Sequence, residues 1–410
     1  MRIPTAIIAA VSALALTAPA RAKTIQVAAG EGAQGRLQEA LIVAQPGDVV
    51  ELAAGRFALT DGLSLDVNGV TVRGAGMEGT VLDFSGQQGA GEGLLVTSDD
   101  VTLRDFAVEN TKGDGIKSKG ADNVVYYRIR VTWTGGPKET NGAYGIYPVA
   151  STGVLVDGCK VSGASDAGIY VGQSKAITVR YNMVENSVAG IEIENSRDAL
   201  VTGNLVTRNT GGILIFDLPN LPVMGGGNTV ISDNLVVAND TPNFAPKGNI
   251  VAGVRRGTGV LVMANDGVRI SGNQIHGNPT AAIMVVSYPN KFDDPRYQPS
   301  PRNIVIMVNS LDRNGTDPQV PGGAQLVAAF GGALPPVLWD GVGTAPRAVG
   351  GADTTAWSLN LPAQGAGFET AKPTPLVLLR PLGPTHGMPS GDMKPAPVGA
   401  PAALDARARP

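Results

Sequence analysis

Gly168-Ile-Tyr-Val171, Gly190-Ile-Glu-Ile193 and Gly212-Ile-Leu-Ile215 repeat one phrase at steps of 22 residues. The phrase extends both ways. Gly93-Leu-Leu-Val96, Gly115-Ile-Lys-Ser118 and Gly145-Ile-Tyr-Pro148 precede it, and Gly259-Val-Leu-Val262 and a degenerate Ala282-Ile-Met-Val285 follow. The starts lie 22, 30, 23, 22, 22, 47 and 23 residues apart, so the long steps read as one period plus an inserted loop. A second column keeps step: Phe106, Ile129, Cys159, Asn182, Asn204, Asn234 and Asn273, each with an apolar residue two places later. Within each repeat, short runs alternate apolar and polar residues between Gly, Asn, Asp and Ser turns, the pattern of strands rather than amphipathic helices. Strands this short cannot bury a core alone, but coils stacked on one another can. A propeller blade needs about 40 residues or more per unit. The pattern therefore predicts an all-β chain, a right-handed, single-stranded parallel β-helix with coils of about 22 residues, an N-terminal cap and an irregular C-terminal tail. Asn182, Asn204, Asn234 and Asn273 would stack as an amide ladder that satisfies buried turn groups, with Cys159 a small buried filler.

The solenoid is expected over residues 90–314. Met1, Arg2, the apolar run Ile7–Leu16 and Ala20-Arg21-Ala22 read as a cleavable signal peptide over residues 1–22, which points to the periplasm or the exterior. Residues 23–89 read as a cap with the first coils: a short helix within Gly35–Ala44, then strands at Gly47–Leu52 and Val70–Arg73. After Asn314 the period dissolves, so residues 315–380 are expected to be irregular and the Pro/Ala-rich residues 381–410 disordered. The formal charge of −3 becomes −5 once Arg2 and Arg21 leave with the signal, a poor match for nucleic acid. No later stretch is long and apolar enough for a membrane span. One cysteine excludes an internal disulfide, and two histidines with no clustered aspartates give no expectation of a metal or other cofactor.

In a strand following each repeat glycine, positions two and four places on point outward. Those columns bring Lys117, Lys119, Tyr147, Tyr170, Glu192 and Glu194 to one patch, with Asp114 and Asp166 at its edge. Insertions at 132–144, 217–228, 238–258 and 287–302 bracket the same sheet and would wall a groove, to which Trp133 and Tyr144 could add rings. Aromatic faces pack on sugar rings, and charged groups bind hydroxyls or uronate carboxylates, so a polysaccharide or oligosaccharide is the expected ligand. Lys117, Tyr170, Glu192 and Glu194 are the candidate catalytic residues; Lys119, Tyr147, Trp133, Tyr144, Asp114 and Asp166 are the candidate ligand-binding residues. A hydrolase would use the two glutamates, about 6.5 to 7 Å apart on alternate positions of one strand. A uronate lyase or epimerase would use Lys or Tyr as a base of lowered pKa. The alternative is a non-catalytic binding or accessory protein of the cell envelope.

The phrases Thr132-Trp-Thr-Gly-Gly-Pro-Lys138, Gly142-Ala-Tyr-Gly-Ile-Tyr-Pro148, Ser162-Gly-Ala-Ser-Asp-Ala-Gly-Ile-Tyr-Val-Gly-Gln-Ser174, Ala189-Gly-Ile-Glu-Ile-Glu-Asn195 and Thr241-Pro-Asn-Phe-Ala-Pro-Lys-Gly-Asn249 resemble a family of exported bacterial parallel β-helix repeat proteins, often encoded beside a predicted c-type cytochrome. The resemblance covers roughly residues 30–314. It implies the fold, and its gene context implies a periplasmic cytochrome c as a partner. More loosely, the repeat resembles that of carbohydrate-active β-helix proteins such as pectate lyases and mannuronan epimerases. Their Asp-Pro-His-Asp and Gly-His-Gly motifs are not present in this sequence.

Overall fold

The structure, a computed structural model, describes residues 22–350, 354–376 and 398–409. The expected signal peptide falls almost wholly outside the described residues, as does the 381–397 part of the tail.

Coils stack as anticipated. Each full coil contributes one strand to a 12-stranded sheet and two to a 19-stranded sheet, as Ala167–Gly172, Lys175–Arg180 and Met183–Glu185 do. Ile146 lies opposite Ile169, Ile169 opposite Ile191 and Ile191 opposite Ile213, all in parallel register, so the sequence period is the rise of one coil. The inward isoleucines are fully buried. Each contributes roughly 1.5–3 kcal/mol by leaving water, and the stack makes them one continuous core.

The repeat glycines have a packing reason. A Cβ on Gly168 would lie 2.3 Å from Val184 Cγ1, and one on Gly190 2.4 Å from Val206 Cγ1. Those valines stand two places after Asn182 and Asn204, so the two in-phase columns of the sequence meet inside each coil.

The asparagine ladder forms at the bend between the two strands of the larger sheet. The Nδ2 groups of Asn182, Asn204 and Asn234 each donate to the Oδ1 of the next Asn at 2.9 Å, and Asn273 continues the ladder to Asn309. Cys159 caps its start, its backbone N–H donating to Asn182 Oδ1. A second ladder, which the sequence reading did not draw, runs five residues later through Asn209, Asn239, Asn278 and Asn314.

The first coils fall within residues 23–89, where Leu63–Leu65 pairs with Leu94–Val96, and at the other end the stack runs past 314, as Val337–Trp339 and Ala356–Ser358 extend the smaller sheet. The expectation of an irregular 315–380 segment is corrected to that extent. Ile283 pairs with Val337 across a long excursion, so pairing persists where the period is lost. The open N-terminal end is covered by the helix Ala33–Val43, which buries Leu37, Ala40 and Leu41. The expectation of a wholly disordered tail is also corrected. Ala403–Ala408 forms a helix that buries Leu404 and Ala408 against Val125 and Leu155 of the larger sheet. Arg180 Nη2 meets Asp405 Oδ1 at 2.7 Å, and Arg407 donates to Thr102 Oγ1 and the Asn123 carbonyl. Among the described residues no helix is long and apolar enough to cross a membrane.

Candidate functional site

Strand register assembles most of the expected patch on the outer face of the smaller sheet. Tyr147 lies opposite Lys117, Tyr170 opposite Glu192, and Gly172 opposite Glu194. The missing side chain at Gly172 leaves room for the Tyr170 ring, whose atoms lie 2.4 Å from where a Cβ would stand. The Tyr170 hydroxyl is thereby free to donate to Glu194 Oε1 at 2.6 Å. Tyr144, at the start of the neighbouring strand, completes a three-ring cluster. Its centroid is 4.5 Å from those of both Tyr147 and Tyr170, which are themselves 4.9 Å apart edge-on. Such pairs add roughly 0.5–1.5 kcal/mol each beyond their buried area.

Lys117 sits at the open end of this cluster. Its Nζ is 4.7 Å from the Tyr147 ring centroid, 2.9 Å from Glu92 Oε1 and 3.5 Å from Asp114 Oδ2. Asp114 Oδ1 also accepts the Tyr144 backbone N–H at 3.2 Å.

One expected member stands at the exposed margin of the patch, and one lies elsewhere. Lys119 is exposed at the strand end opposite Val149. Trp133, expected to offer its ring to the groove, packs into the core instead and donates its indole N–H to the Thr111 carbonyl at 2.7 Å. Alternation within its strand decides this: Ile129 and Val131 face inward, and Trp133 continues their side.

The electrostatics follow from burial. Glu192 is 1% exposed, Asp166 5% and Glu194 8%. Desolvation raises the pKa of all three, bringing Asp166 to about 7, with the neighbouring Glu194 charge adding to the rise. Burial, with the Asp166 and Glu194 carboxyls close by, holds Glu192 well above the ordinary carboxylate range, and among the described residues its Oε2 is buried with no partner. Asp166 is steadied by Asn249 Nδ2 at 3.3 Å and by the Tyr144 hydroxyl. Burial lifts Asp114 to about 6 against the opposing pull of Lys117. Burial and acidic neighbours push the hydroxyls of Tyr144 and Tyr170 far up, and ion pairing outweighs desolvation to raise Lys117. A tyrosine or lysine base needs the opposite shift; here the Tyr170 hydroxyl donates to Glu194 and Lys117 is ion-paired with Glu92.

The insertions do more than wall a groove. Leu218, Val251, Val254, Tyr288 and Tyr297 pack down on Tyr170, Leu214, Phe216 and Met263, closing the C-terminal half of the face. Tyr297 fixes one loop to another by donating to the Asp217 carbonyl at 2.5 Å. Asp217 in turn accepts from the N–H groups of Gly225 and Gly226. Lys117, Tyr147 and Asp114 remain half-buried and reachable, while Tyr170, Glu192 and Glu194 lie beneath the cover. Sequence reasoning missed Glu92, Asn249 and Asp217. For Glu92 a signal existed: it stands one place before Gly93 as Asp114 does before Gly115, so the two acids stack beside Lys117. Among the described residues, no group of three or more His, Cys, Asp or Glu side chains is placed to hold a metal ion.

Residues 68–223 match the family model described as the right handed beta helix region. No curated protein matches the sequence. Among solved structures, the chain is similar to the mannuronan C-5 epimerase AlgE4 A-module of Azotobacter vinelandii, with a TM-score of 0.49 at 16% identity over 77% of this chain and 89% of that one. It is similar to the AlgE6 A-module of the same organism, with a TM-score of 0.46 at 18% identity over 81% and 94%. The Yersinia enterocolitica family 28 exopolygalacturonase gives a TM-score of 0.45 at 10% identity over 78% and 70%. The parallel ladders from Thr24 to Ser358 and the match over residues 68–223 together make this chain a right-handed parallel β-helix protein.

Proposed function

We propose that the protein binds a polysaccharide on the outer face of the smaller sheet, at the open end formed by Lys117, Tyr147 and Asp114. The observation that carries this reading is a half-buried aromatic ring held by a lysine beside a carboxyl whose pKa is about 6. The ring offers a face to a sugar, Lys117 and Asp114 offer a donor and an acceptor for its hydroxyls, and burial keeps the arrangement rigid. Charge narrows the ligand. Lys117 is already ion-paired with Glu92 and Asp114, so a neutral, hydroxyl-rich chain fits better than a polyuronate. Asp114 is the group that could give and take a proton at a bound sugar near neutral pH.

A second reading is recognition without turnover, as in an accessory protein of the cell envelope. It is favoured by the burial of Tyr170, Glu192 and Glu194, since groups under the cover do not touch a ligand at the open end. One panel separates the readings. Neutral β-glucan and galactomannan, and polyuronates for comparison, are screened for binding, for new reducing ends and for unsaturated-uronate absorbance. Binding of a neutral chain with reducing ends that vanish in Asp114→Asn supports an enzyme, and binding alone supports recognition. Binding confined to polyuronates would overturn the charge argument, and no binding at all would overturn the site.

A further inference from the structure

Beyond the carboxyls the same sheet face becomes apolar. Phe216, Leu261, Met263, Met284 and Val286 line one side of a cavity of about 430 Å3. Leu261 lies opposite Met284 and Met263 opposite Val286 in register, so the floor is continuous across two coils. The 248–255 and 287–290 segments and the 365–368 turn form its walls. A cavity of this size falls in the range of roughly 300–1,000 Å3 typical of small-molecule sites. Asn249 lies in the wall and hydrogen-bonds Asp166, so it stands between this cavity and the carboxyl cluster.

The charged groups around the cavity are unequal. Asp340 is fully engaged, accepting from the Ser287 backbone N–H and hydroxyl at 2.6 Å each and from the Val342 N–H at 2.9 Å. Arg256 is tied to Asp240 and Asp317 and does not line the cavity. Arg255 does line it, is exposed, and among the described residues forms no ion pair. An apolar floor thus adjoins one exposed guanidinium that among the described residues forms no ion pair. Two thioethers in that floor adapt readily to the shape of an apolar guest.

We propose that this cavity binds a small amphipathic anion, its apolar body on Leu261, Met263 and Met284 and its acidic head on Arg255. The inference is independent of the glycan reading, because it uses none of the residues at Lys117, Tyr147 or Asp114.

The test is calorimetric titration of the full chain with dodecanoate, and with dodecanol as a neutral control. Saturable one-to-one binding of dodecanoate is expected, at least tenfold weaker in Leu261→Trp, which fills the cavity. Arg255→Ala should weaken dodecanoate at least fivefold and leave dodecanol unchanged. Thermal melts check that Leu261→Trp folds; if it does not, Val286→Phe fills the same space from the next coil. No saturable binding to the wild type, or equal affinity in the filled variant, would overturn the proposal. So would dodecanoate and dodecanol binding alike with Arg255→Ala without effect.

Discussion

At the residue scale, the difference between the expected and the observed site is burial. Lys117, Tyr147, Tyr170, Glu192 and Glu194 could be brought to one face from a period of 22 and alternation alone, and the register does so. That Tyr170 and the glutamates would be sealed could not be read, because the cover comes from insertions whose conformation no repeat dictates. Burial has a measurable consequence at Asp166. Its folded pKa, about 7, lies above the ordinary carboxylate value of 3.8, so between those pH values the folded state holds a proton that the unfolded state has released. Stability must then fall as pH rises from about 4 to 7, by an amount on the order of 1 kcal/mol or more. Melting temperatures should drop between pH 5 and pH 8, and Asp166→Asn, which keeps the shape and cannot ionise, should reduce that drop. An identical pH profile in the variant would show that Asp166 is solvated after all.

At the scale of the element, the asparagine ladder was legible because four Asn keep phase with a valine or isoleucine two places on. The second ladder was equally present, five residues after Asn204, Asn234, Asn273 and Asn309, but it starts from Ser187 and so breaks the residue pattern at its first rung. Both ladders satisfy buried backbone N–H groups as well as amides, so each rung serves two coils. Asn204→Leu removes the acceptor for both the backbone N–H and the Nδ2 of Asn182. A buried donor left unpaired costs about 1–3 kcal/mol, and chemical denaturation should show a loss of at least that size. An unchanged midpoint would mean that water replaces the rung.

On the scale of the whole molecule, the solenoid was legible and its limits were not. Periodicity fails as a guide after Asn314 because the excursions grow longer than the coils, although parallel pairing continues as far as Ser358 and an antiparallel strand, Thr374–Pro375, is added beyond it. The C-terminal tail misled for a different reason. Its Pro/Ala composition signals little capacity to form a core of its own, yet Leu404 and Ala408, one helical turn apart, find an apolar outward pair at Val125 and Leu155. Removing residues 398–410 strips that cover and the Asp405 partner of Arg180. The stack should stay folded with its β-sheet circular dichroism intact, and its stability should fall by roughly 2 kcal/mol, the worth of burying one leucine. A truncated chain as stable as the full one would contradict the docking of the helix.

The central claim, that the open end of the sheet face holds a sugar chain, meets its most direct test at Tyr147, since this ring is half-buried and reachable whereas Tyr170 is not. Isothermal titration of a neutral hexasaccharide, prepared from whichever neutral polysaccharide the chain binds, into wild type, Tyr147→Phe and Tyr147→Ala is that measurement. If the ring face carries recognition, Phe should keep the affinity within about twofold and Ala should lose tenfold or more, tenfold being about 1.4 kcal/mol. Equal affinity in wild type and Tyr147→Ala would contradict the account.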